Sequence, residues 1–184
     1  MVLGVGDRRS TRIFFVAHCI LNQNTIASGL VKRHSSAVWE ILELFREFDV
    51  GIEQLPCPEF MLLGLPRPPM TKTQYELEGL RKICIKLSEE ITSYMFKLLR
   101  AGFKILGILG IERSPSCGVH QIYIGYSPER AELIEGCGIF IEELTQKMKE
   151  RGLNVPVFSW DYKDEYKSLK ILDEYLSRVC GRIT

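Results

Sequence analysis

The sequence Arg12-Ile-Phe-Phe-Val-Ala-His-Cys19 places a short run of β-branched and aromatic residues just before a cysteine. Such a continuous apolar run predicts a strand that is buried on both faces, as in a parallel sheet. Two further runs, Gly51–Leu55 and Lys104–Ile111, have the same character and also lead into cysteine-bearing turns. This pattern predicts three strands of a mostly parallel sheet, with reactive side chains at the ends of the strands.

Segments with a helical period separate the predicted strands. The clearest is 75–99, where one apolar stripe repeats at steps of three and four residues. Shorter helices are predicted at 35–48, 138–151 and 164–179, a fourth strand at 154–158, and either a strand or an irregular segment at 122–124. Alternating strands and helices are typical of α/β proteins. We therefore expect one compact, three-layer α/β/α, Rossmann-like domain spanning residues 1–184.

The composition excludes several classes of protein. Lys and Arg number 24 against 23 Asp and Glu, a formal net charge of +1, whereas nucleic-acid binding needs clustered positive charge. The longest apolar runs fall well short of the roughly 20 residues of a membrane helix, and the first residues show no signal-peptide pattern. We expect a cytoplasmic protein with a small-molecule partner and neither a nucleic-acid nor a membrane partner; these patterns specify no oligomeric state.

Three of the six cysteines directly follow predicted strands. Cys19 closes the first strand, Cys57 follows the second, and Cys117 follows the third. Ligands of open parallel sheets bind outside the carboxyl ends of the strands, so these three thiols can converge on one site. Disulfides are rare in a reducing cytosol, which favours a metal or a catalytic role.

The other three cysteines have simpler interpretations. Cys84 lies on the apolar stripe of the long predicted helix, and Cys180 lies next to the buried face of the last one, so both are expected to be core residues. Cys137 lies in Gly136-Cys137-Gly138 at a helix start, where the pKa of a thiol can be lowered. Its role stays open at this point.

Three kinds of site are compatible with Cys19, Cys57 and Cys117. Thiolates that meet in a reducing compartment bind a soft metal ion or an iron–sulfur cluster. A zinc site for structure or partner binding would use His120 as its fourth ligand. In a cluster-free enzyme, Cys117 would be the nucleophile.

The motifs around these cysteines resemble the thiouracil desulfurase family. The resemblance rests on three motifs in order: a cysteine after the first strand; Cys57-Pro58-Glu59 followed by Gly64-Leu65-Pro66-Arg67-Pro68; and Ser114-Pro115-Ser116-Cys117-Gly118. It implies a [4Fe-4S] cluster bound by Cys19, Cys57 and Cys117, with one iron left without a protein ligand. It also implies removal of sulfur from a small thiolated compound, a thiocarbonyl such as a thiolated nucleobase, with release of sulfide.

The sequence departs from the family pattern in two places. The first motif, usually Cys-Leu-Leu-Gly, is Cys19-Ile-Leu-Asn-Gln-Asn-Thr25, and Phe60-Met-Leu-Leu63 replaces a Gly-Gly pair before Gly64. Both segments are expected to line the substrate pocket. The departures therefore concern the identity of the substrate.

Several polar residues near the motifs are candidate site residues. Glu59 lies two residues after an expected ligand and is the natural general base for hydrolysis. Ser114 resembles the family's active-site serine, and His18 is expected to point to the opposite face of the strand. The expected substrate contacts are Ser116, Asn22, Asn24 and Arg67, with Arg113 as a further candidate.

Overall fold

The computed structural model describes residues 7–182. Its strands are β1 (Arg12–Ala17), β2 (Gly51–Leu55), β3 (Lys104–Ile111), β4 (Gln121–Ile124), β5 (Glu132–Glu135) and β6 (Val157–Trp160). Its helices are α1 (His18–Leu21), α2 (Trp39–Glu47), α3 (Pro58–Leu63), α4 (Lys72–Leu77), α5 (Leu80–Arg100), α6 (Ile139–Glu150) and α7 (Glu165–Val179).

A four-stranded parallel sheet in the order β2-β1-β3-β6 forms the centre of the molecule. The two inner strands are almost fully buried: Phe14, Val16, Ile108 and Leu109 have no exposed surface. Helices α2 and α7 contact each other, as do α5 and α6, so that one helix pair covers each face. This arrangement confirms the predicted α/β/α architecture with a parallel sheet.

The order of the strands creates a crevice at the middle of the sheet. From β1 the chain moves outward to β2, then returns across β1 to β3 and continues to β6. Ligands of open α/β sheets bind where the strand order reverses, outside the carboxyl ends of the strands. Here that point lies between β1 and β3, beside the segments that carry Cys19 and Cys117.

The predicted single helix at 75–99 is wrong, because the chain forms two helices there. Thr71 and Gln74 form a capping box that begins α4, which ends at Leu77. Gly79 then adopts a left-handed conformation with φ of 82°, which interrupts the helical hydrogen bonding before α5. Leu77 is consequently 73% exposed, although it fits the apolar stripe.

Three other boundaries differ from the prediction. The helix expected at 35–48 begins only at Trp39, because residues before it pair with the first loop: the Val38 amide donates to the Ile20 carbonyl. The strand expected at 154–158 is β6, shifted towards the C-terminus, since Pro156 has no N–H for a sheet. The run at 122–124 belongs to β4, which pairs with β5 in a separate antiparallel ribbon.

None of the helices within residues 7–182 combines the length and apolar character needed to cross a membrane.

Candidate functional site

The three cysteines that follow strands lie together at the carboxyl edge of the sheet. Cys19 is on α1, Cys57 caps the start of α3, and Cys117 lies in the loop between β3 and β4. The pKa of Cys19 is raised well above its ordinary value, first by hydrogen bonding with Cys57, then by burial and by the charges of Cys57, Cys117 and Glu59. The three thiols are therefore close enough to act on one another electrostatically.

Cys57 is the thiol that ionises most readily in this group. Its pKa is lowered first by the hydrogen bond with Cys19, which outweighs the effect of burial. The amide of Phe60 donates to the Cys57 sulfur at 3.4 Å, and Arg67 Nη2 lies 3.8 Å from it. A helix start and a guanidinium together stabilise a thiolate at this position.

Cys117 has the opposite character. Burial, followed by the charge of Cys57, raises the pKa of Cys117 well above the ordinary value. The hydrogen bond with the Ser116 hydroxyl, 3.6 Å from the sulfur, lowers the pKa by a smaller amount. A buried thiol of raised pKa is a poor nucleophile in the free protein. It can still lose its proton to a bound metal, because metal binding displaces protons from thiols.

The loop that carries Cys117 is held tightly in place. The Ile111 amide donates to the Cys117 carbonyl, and the Gly118 amide donates to the Ser114 carbonyl, both at 2.9 Å. A Cβ atom on Gly138 would lie 2.4 Å from the carbonyl of Ser116, so only glycine fits between α6 and this loop. The backbone of the third motif is therefore fixed before any ligand binds.

Glu59 lies at the centre of a buried hydrogen-bond network beside the thiols. Its Oε1 accepts from the Ser116 hydroxyl at 2.6 Å and from the Ser114 hydroxyl at 3.5 Å. Its Oε2 accepts from the Tyr75 hydroxyl at 3.1 Å and lies 3.5 Å from Arg67 Nη2. The carboxylate is thus oriented by four side chains from three segments of the chain.

Arg67 is buried below this network, with 2% of its surface exposed. Its Nη1 donates to the Thr25 carbonyl at 2.6 Å, and its Nη2 faces both Glu59 and the Cys57 sulfur. Its Nε, although buried, has no hydrogen-bond partner among the described residues. The side chain is therefore engaged mainly with the protein itself.

The soft donors of the site are three neighbouring thiols. Within the described part of the chain, no three His, Cys, Asp or Glu side chains surround a point where one metal ion could be held. The protein ligands of a [4Fe-4S] cluster bind separate irons, so their sulfurs need not converge on one point. Three neighbouring thiols, with the unpaired Arg67 N–H beside them, fit a group that carries further sulfur acceptors.

Ser114 and the two asparagines make mainly local contacts. Ser114 Oγ accepts from the amides of Ser116 at 3.3 Å and Cys117 at 3.0 Å, so it stabilises the turn as well as facing Glu59. Asn22 Oδ1 accepts from both the backbone and the side-chain nitrogen of Asn24, at 3.1 and 2.9 Å. This pair lies near the surface in the turn that follows Cys19.

His18 and Cys19 belong to a helix, which corrects the expectation that they close the first strand. β1 ends at Ala17, and α1 begins with His18, so the strand alternation used to orient His18 does not apply. His18 Nε2 hydrogen bonds with Thr25 Oγ1 at 2.7 Å, and burial lowers the pKa of its imidazole. The ring therefore supports the loop that Arg67 also contacts.

His120 makes its closest side-chain contact away from the cysteines. Its Nδ1 lies 3.0 Å from Glu112 Oε2, and its side chain is 69% exposed. The two residues line a cavity of about 480 Å³ together with Gln121, Glu135 and Asp161; none of the cysteines lines it. Asp161 is paired with Arg113, which leaves that guanidinium engaged as well.

The remaining cysteines are placed largely as expected. Cys84 is fully buried, which raises its pKa to about 12, and Cys180 packs partly buried at the end of α7. Cys137 donates to the Val119 carbonyl at 3.2 Å, and burial raises its pKa. The lowering of the Cys137 pKa that the helix start suggested is therefore wrong.

Two buried residues at the site, Tyr75 and Gln23, were not predicted from the sequence. Tyr75 is fully buried and donates to Glu59, and burial raises the pKa of its phenol. Gln23 is also buried and bridges the Cys19 carbonyl and the Tyr162 hydroxyl. The capping box at Thr71 and Gln74 was a local signal near Tyr75, because it marks the start of the helix that carries this residue.

Comparisons with known proteins identify relatives of this chain in sequence and in fold. The sequence profile of the family described as 2-thiouracil desulfurase matches residues 14–156. The uncharacterised protein MJ0003 of Methanocaldococcus jannaschii is 31% identical over 172 residues, which cover 91% of this chain and 99% of the relative. Among solved structures, the [4Fe-4S]-dependent thiouracil desulfidase TudS is similar in fold, with a TM-score of 0.50 and 21% identity over 89% of this chain and 99% of that one.

Proposed function

The chain belongs to the 2-thiouracil desulfurase family, and we propose that it hydrolyses the thiocarbonyl group of a small thiolated compound, such as a thiolated nucleobase, and releases sulfide. The observation that carries this proposal is the buried carboxylate of Glu59, bonded to Ser116 at 2.6 Å, beside three mutually interacting thiols. A fixed base next to a set of soft ligands suits the removal of sulfur from carbon.

In this proposal Cys19, Cys57 and Cys117 hold a [4Fe-4S] cluster. The similar fold of TudS, which is named as [4Fe-4S]-dependent, supports this assignment together with the thiol set itself. When bound through three cysteines, such a cluster offers an iron without a protein ligand, a Lewis acid that prefers sulfur to oxygen. The lowered pKa of Cys57 prepares one ligand for binding as a thiolate.

The reaction converts C=S and water into C=O and hydrogen sulfide. Water adds to the carbon, the C–S bond breaks, and both protons of the water finally leave with the sulfur. Glu59 accepts a proton from the attacking water, and the hydrogen bonds from Ser116 and Tyr75 hold its two oxygens in place. Oxidants and reductants are not needed for this stoichiometry.

The other polar residues have supporting roles in the proposal. Ser114, whose hydroxyl is 3.5 Å from Glu59, contacts the substrate or the attacking water. Ser116 fixes Glu59 and lies beside the substrate, and Asn22 and Asn24 bind a polar edge of the substrate in the turn after Cys19. The departures from the family pattern in this turn and at Phe60-Met-Leu-Leu63 select the compound that is bound.

A cluster-free enzyme with Cys117 as nucleophile is the weaker alternative. A nucleophilic thiol needs a lowered pKa and access to substrate, whereas Cys117 is buried and the pKa of its thiol is raised. A zinc site completed by His120 is disfavoured too, because this ring is largely exposed and contacts Glu112.

The proposal is tested by turnover of defined thiolated compounds. Protein purified and reconstituted without oxygen is incubated with 2-thiouracil, 4-thiouracil and their ribonucleosides, and both sulfide and the oxygenated product are quantified. We expect equimolar sulfide and product from at least one compound. Absence of turnover by iron-loaded protein on the whole panel would refute the proposed activity.

Cysteine variants provide matched controls for this assay. Cys117→Ala is expected to lose activity and iron together. Cys180→Ser, which changes a cysteine at the far end of α7, should retain both. If both variants behave alike, the assignment of the three ligands is wrong.

A further inference from the structure

Arg67 joins three parts of the site through one buried side chain. Its guanidinium contacts the Thr25 carbonyl at 2.6 Å, Glu59 Oε2 at 3.5 Å and the Cys57 sulfur at 3.8 Å. With 2% of its surface exposed, it has almost no access to solvent. The sequence predicted Arg67 as a substrate contact, and the structure places its guanidinium against Glu59 and the Cys57 sulfur.

Arg67 brings a positive charge into the buried site. Three ligand thiolates and Glu59 carry negative charges that the positive core of a bound cluster would offset only in part, and burial strengthens the repulsion that remains. An arginine keeps its charge at any accessible pH and presents several donors in a fixed plane. Placed against one thiolate and one carboxylate, it offsets part of this repulsion.

The unpaired Nε–H adds a second, independent observation. A buried donor without a partner carries a free-energy cost, so native proteins seldom leave one unused. Among residues 7–182, Arg67 Nε has no acceptor, although the same guanidinium is otherwise engaged. A bound group with sulfur acceptors next to Cys57 would supply the missing partner.

We infer that Arg67 is a positioning residue for the bound cluster, which it stabilises through hydrogen bonds to the Cys57 sulfur and to the cluster itself. This inference rests on the proposed function, because it requires that Cys57 ligates an iron–sulfur cluster. Hydrogen bonds to sulfur and nearby positive charge raise the reduction potential of such clusters, since they stabilise the more negative reduced state. Outer contacts of this kind also slow the loss of metal.

The experiment compares wild type with Arg67→Met, Arg67→Lys and a control, Arg81→Met, after anaerobic reconstitution with iron and sulfide. Arg81 is also paired with carboxylates, Glu76 and Glu143, but it contacts none of the three ligand cysteines. The readouts are the midpoint potential of the cluster, by titration with dithionite, and the rate of iron loss to a chelator. Neither readout depends on turnover.

We expect Arg67→Met to shift the potential to more negative values and to lose iron about tenfold faster or more, as removal of outer ligand partners does. Arg67→Lys should lie between Arg67→Met and wild type, because it keeps the charge and loses the planar donors. Arg81→Met should match wild type. A purely structural role would change folding without moving the potential, so circular dichroism of the apo-proteins accompanies the titration.

Equal potentials and equal rates of iron loss in wild type and Arg67→Met would overturn the inference. If Arg67→Met does not fold, Arg67→Lys decides: a wild-type potential in that variant overturns the inference, and a more negative one supports it. Failure of wild type to take up iron would instead refute the proposed function, which separates the two failures.

Discussion

The Ser116 hydroxyl donates a hydrogen bond to Glu59 Oε1 at 2.6 Å, although 57 positions of the chain separate the two residues. One residue belongs to the turn after β3 and the other to α3, which follows β2. Their contact ties the second and third cysteine motifs together in the interior of the protein. The position of the carboxylate therefore depends on the folding of the whole sheet edge.

Replacing Ser116 with Ala removes the shortest hydrogen bond to Glu59. A hydrogen bond to a charged group contributes about 1.5–3 kcal/mol, so we expect the desulfuration rate to fall roughly 10- to 100-fold. Because the Ser116 hydroxyl also lies 3.6 Å from the sulfur of the ligand Cys117, the rate is compared per bound iron. Ser88→Ala is the control, since Ser88 is equally buried and its hydroxyl has no partner within the described residues.

The contact is unimportant for catalysis if Ser116→Ala and Ser88→Ala have the same turnover rate.

Replacing Glu59 with Gln keeps the shape of the side chain and removes its basicity. Loss of a general base typically lowers the rate by about 10²- to 10⁴-fold. We expect that loss in turnover of the thiolated substrate, measured by release of sulfide, with the iron retained. Glu143→Gln changes another buried carboxylate, one paired with Arg81 outside the site, and should leave turnover unchanged.

Retention of most of the activity by Glu59→Gln would mean that another group takes the proton.

The close packing of Gly138 against the Cys117 loop is testable through stability. An added Cβ would lie 2.4 Å from backbone atoms of Ser116 and 2.7 Å from the Gly118 nitrogen, so Gly138→Ala must displace the loop or α6. Overpacking of this kind costs about 1–3 kcal/mol in free energy of unfolding, and we expect reduced iron retention as well. Urea denaturation and iron analysis measure the two effects.

Gly152→Ala is the comparison for that experiment. Gly152 has a positive φ of 67° with open space around it, so its variant reports backbone strain alone and should keep its iron. Equal iron content in the two variants would show that the packing at Gly138 does not support the site.

Glu112 gives the protein a specific dependence on pH. Burial alone would raise the pKa of Glu112, but hydrogen bonds from Ser159, His120 and the Gln121 amide outweigh it and lower the pKa. A carboxyl whose pKa is lower in the folded state stabilises the protein above its unfolded pKa, and this contribution is lost as the pH falls through the folded value. We expect Glu112→Gln to be less stable than wild type near pH 7, with the difference shrinking below about pH 4.3.

Chemical denaturation of both proteins at several pH values checks this prediction. A stability difference that does not change between pH 7 and pH 3 would contradict the role of Glu112.

Much of the fold follows from local patterns in the sequence. The strands β2 and β3 have the predicted bounds, and β1 ends at Ala17, before the cysteine that was expected to close it, because each strand is a compact apolar run. The break before α5 was missed, since the apolar stripe continues through Gly79 as if the helix were unbroken. Gly79 was the local signal for this break, whereas the capping box at Thr71 marks only the start of α4.

The sequence indicated which cysteines form the candidate site, but it did not indicate the contacts that Arg67 and Tyr75 make there. Strand ends indicated that Cys19, Cys57 and Cys117 meet, because parallel strands share one carboxyl edge. The burial of Arg67 and the approach of Tyr75 to Glu59 arise where α3 and α4 pack against α5. Such long-range contacts leave no periodic signal in a single sequence.

The presence of a cluster is decided by the iron and acid-labile sulfide content of protein purified without oxygen. We expect about four irons and four sulfides per chain, as in a [4Fe-4S] cluster, and neither in Cys117→Ala. Zinc in stoichiometric amount, or no metal after anaerobic reconstitution with iron and sulfide, would contradict this expectation.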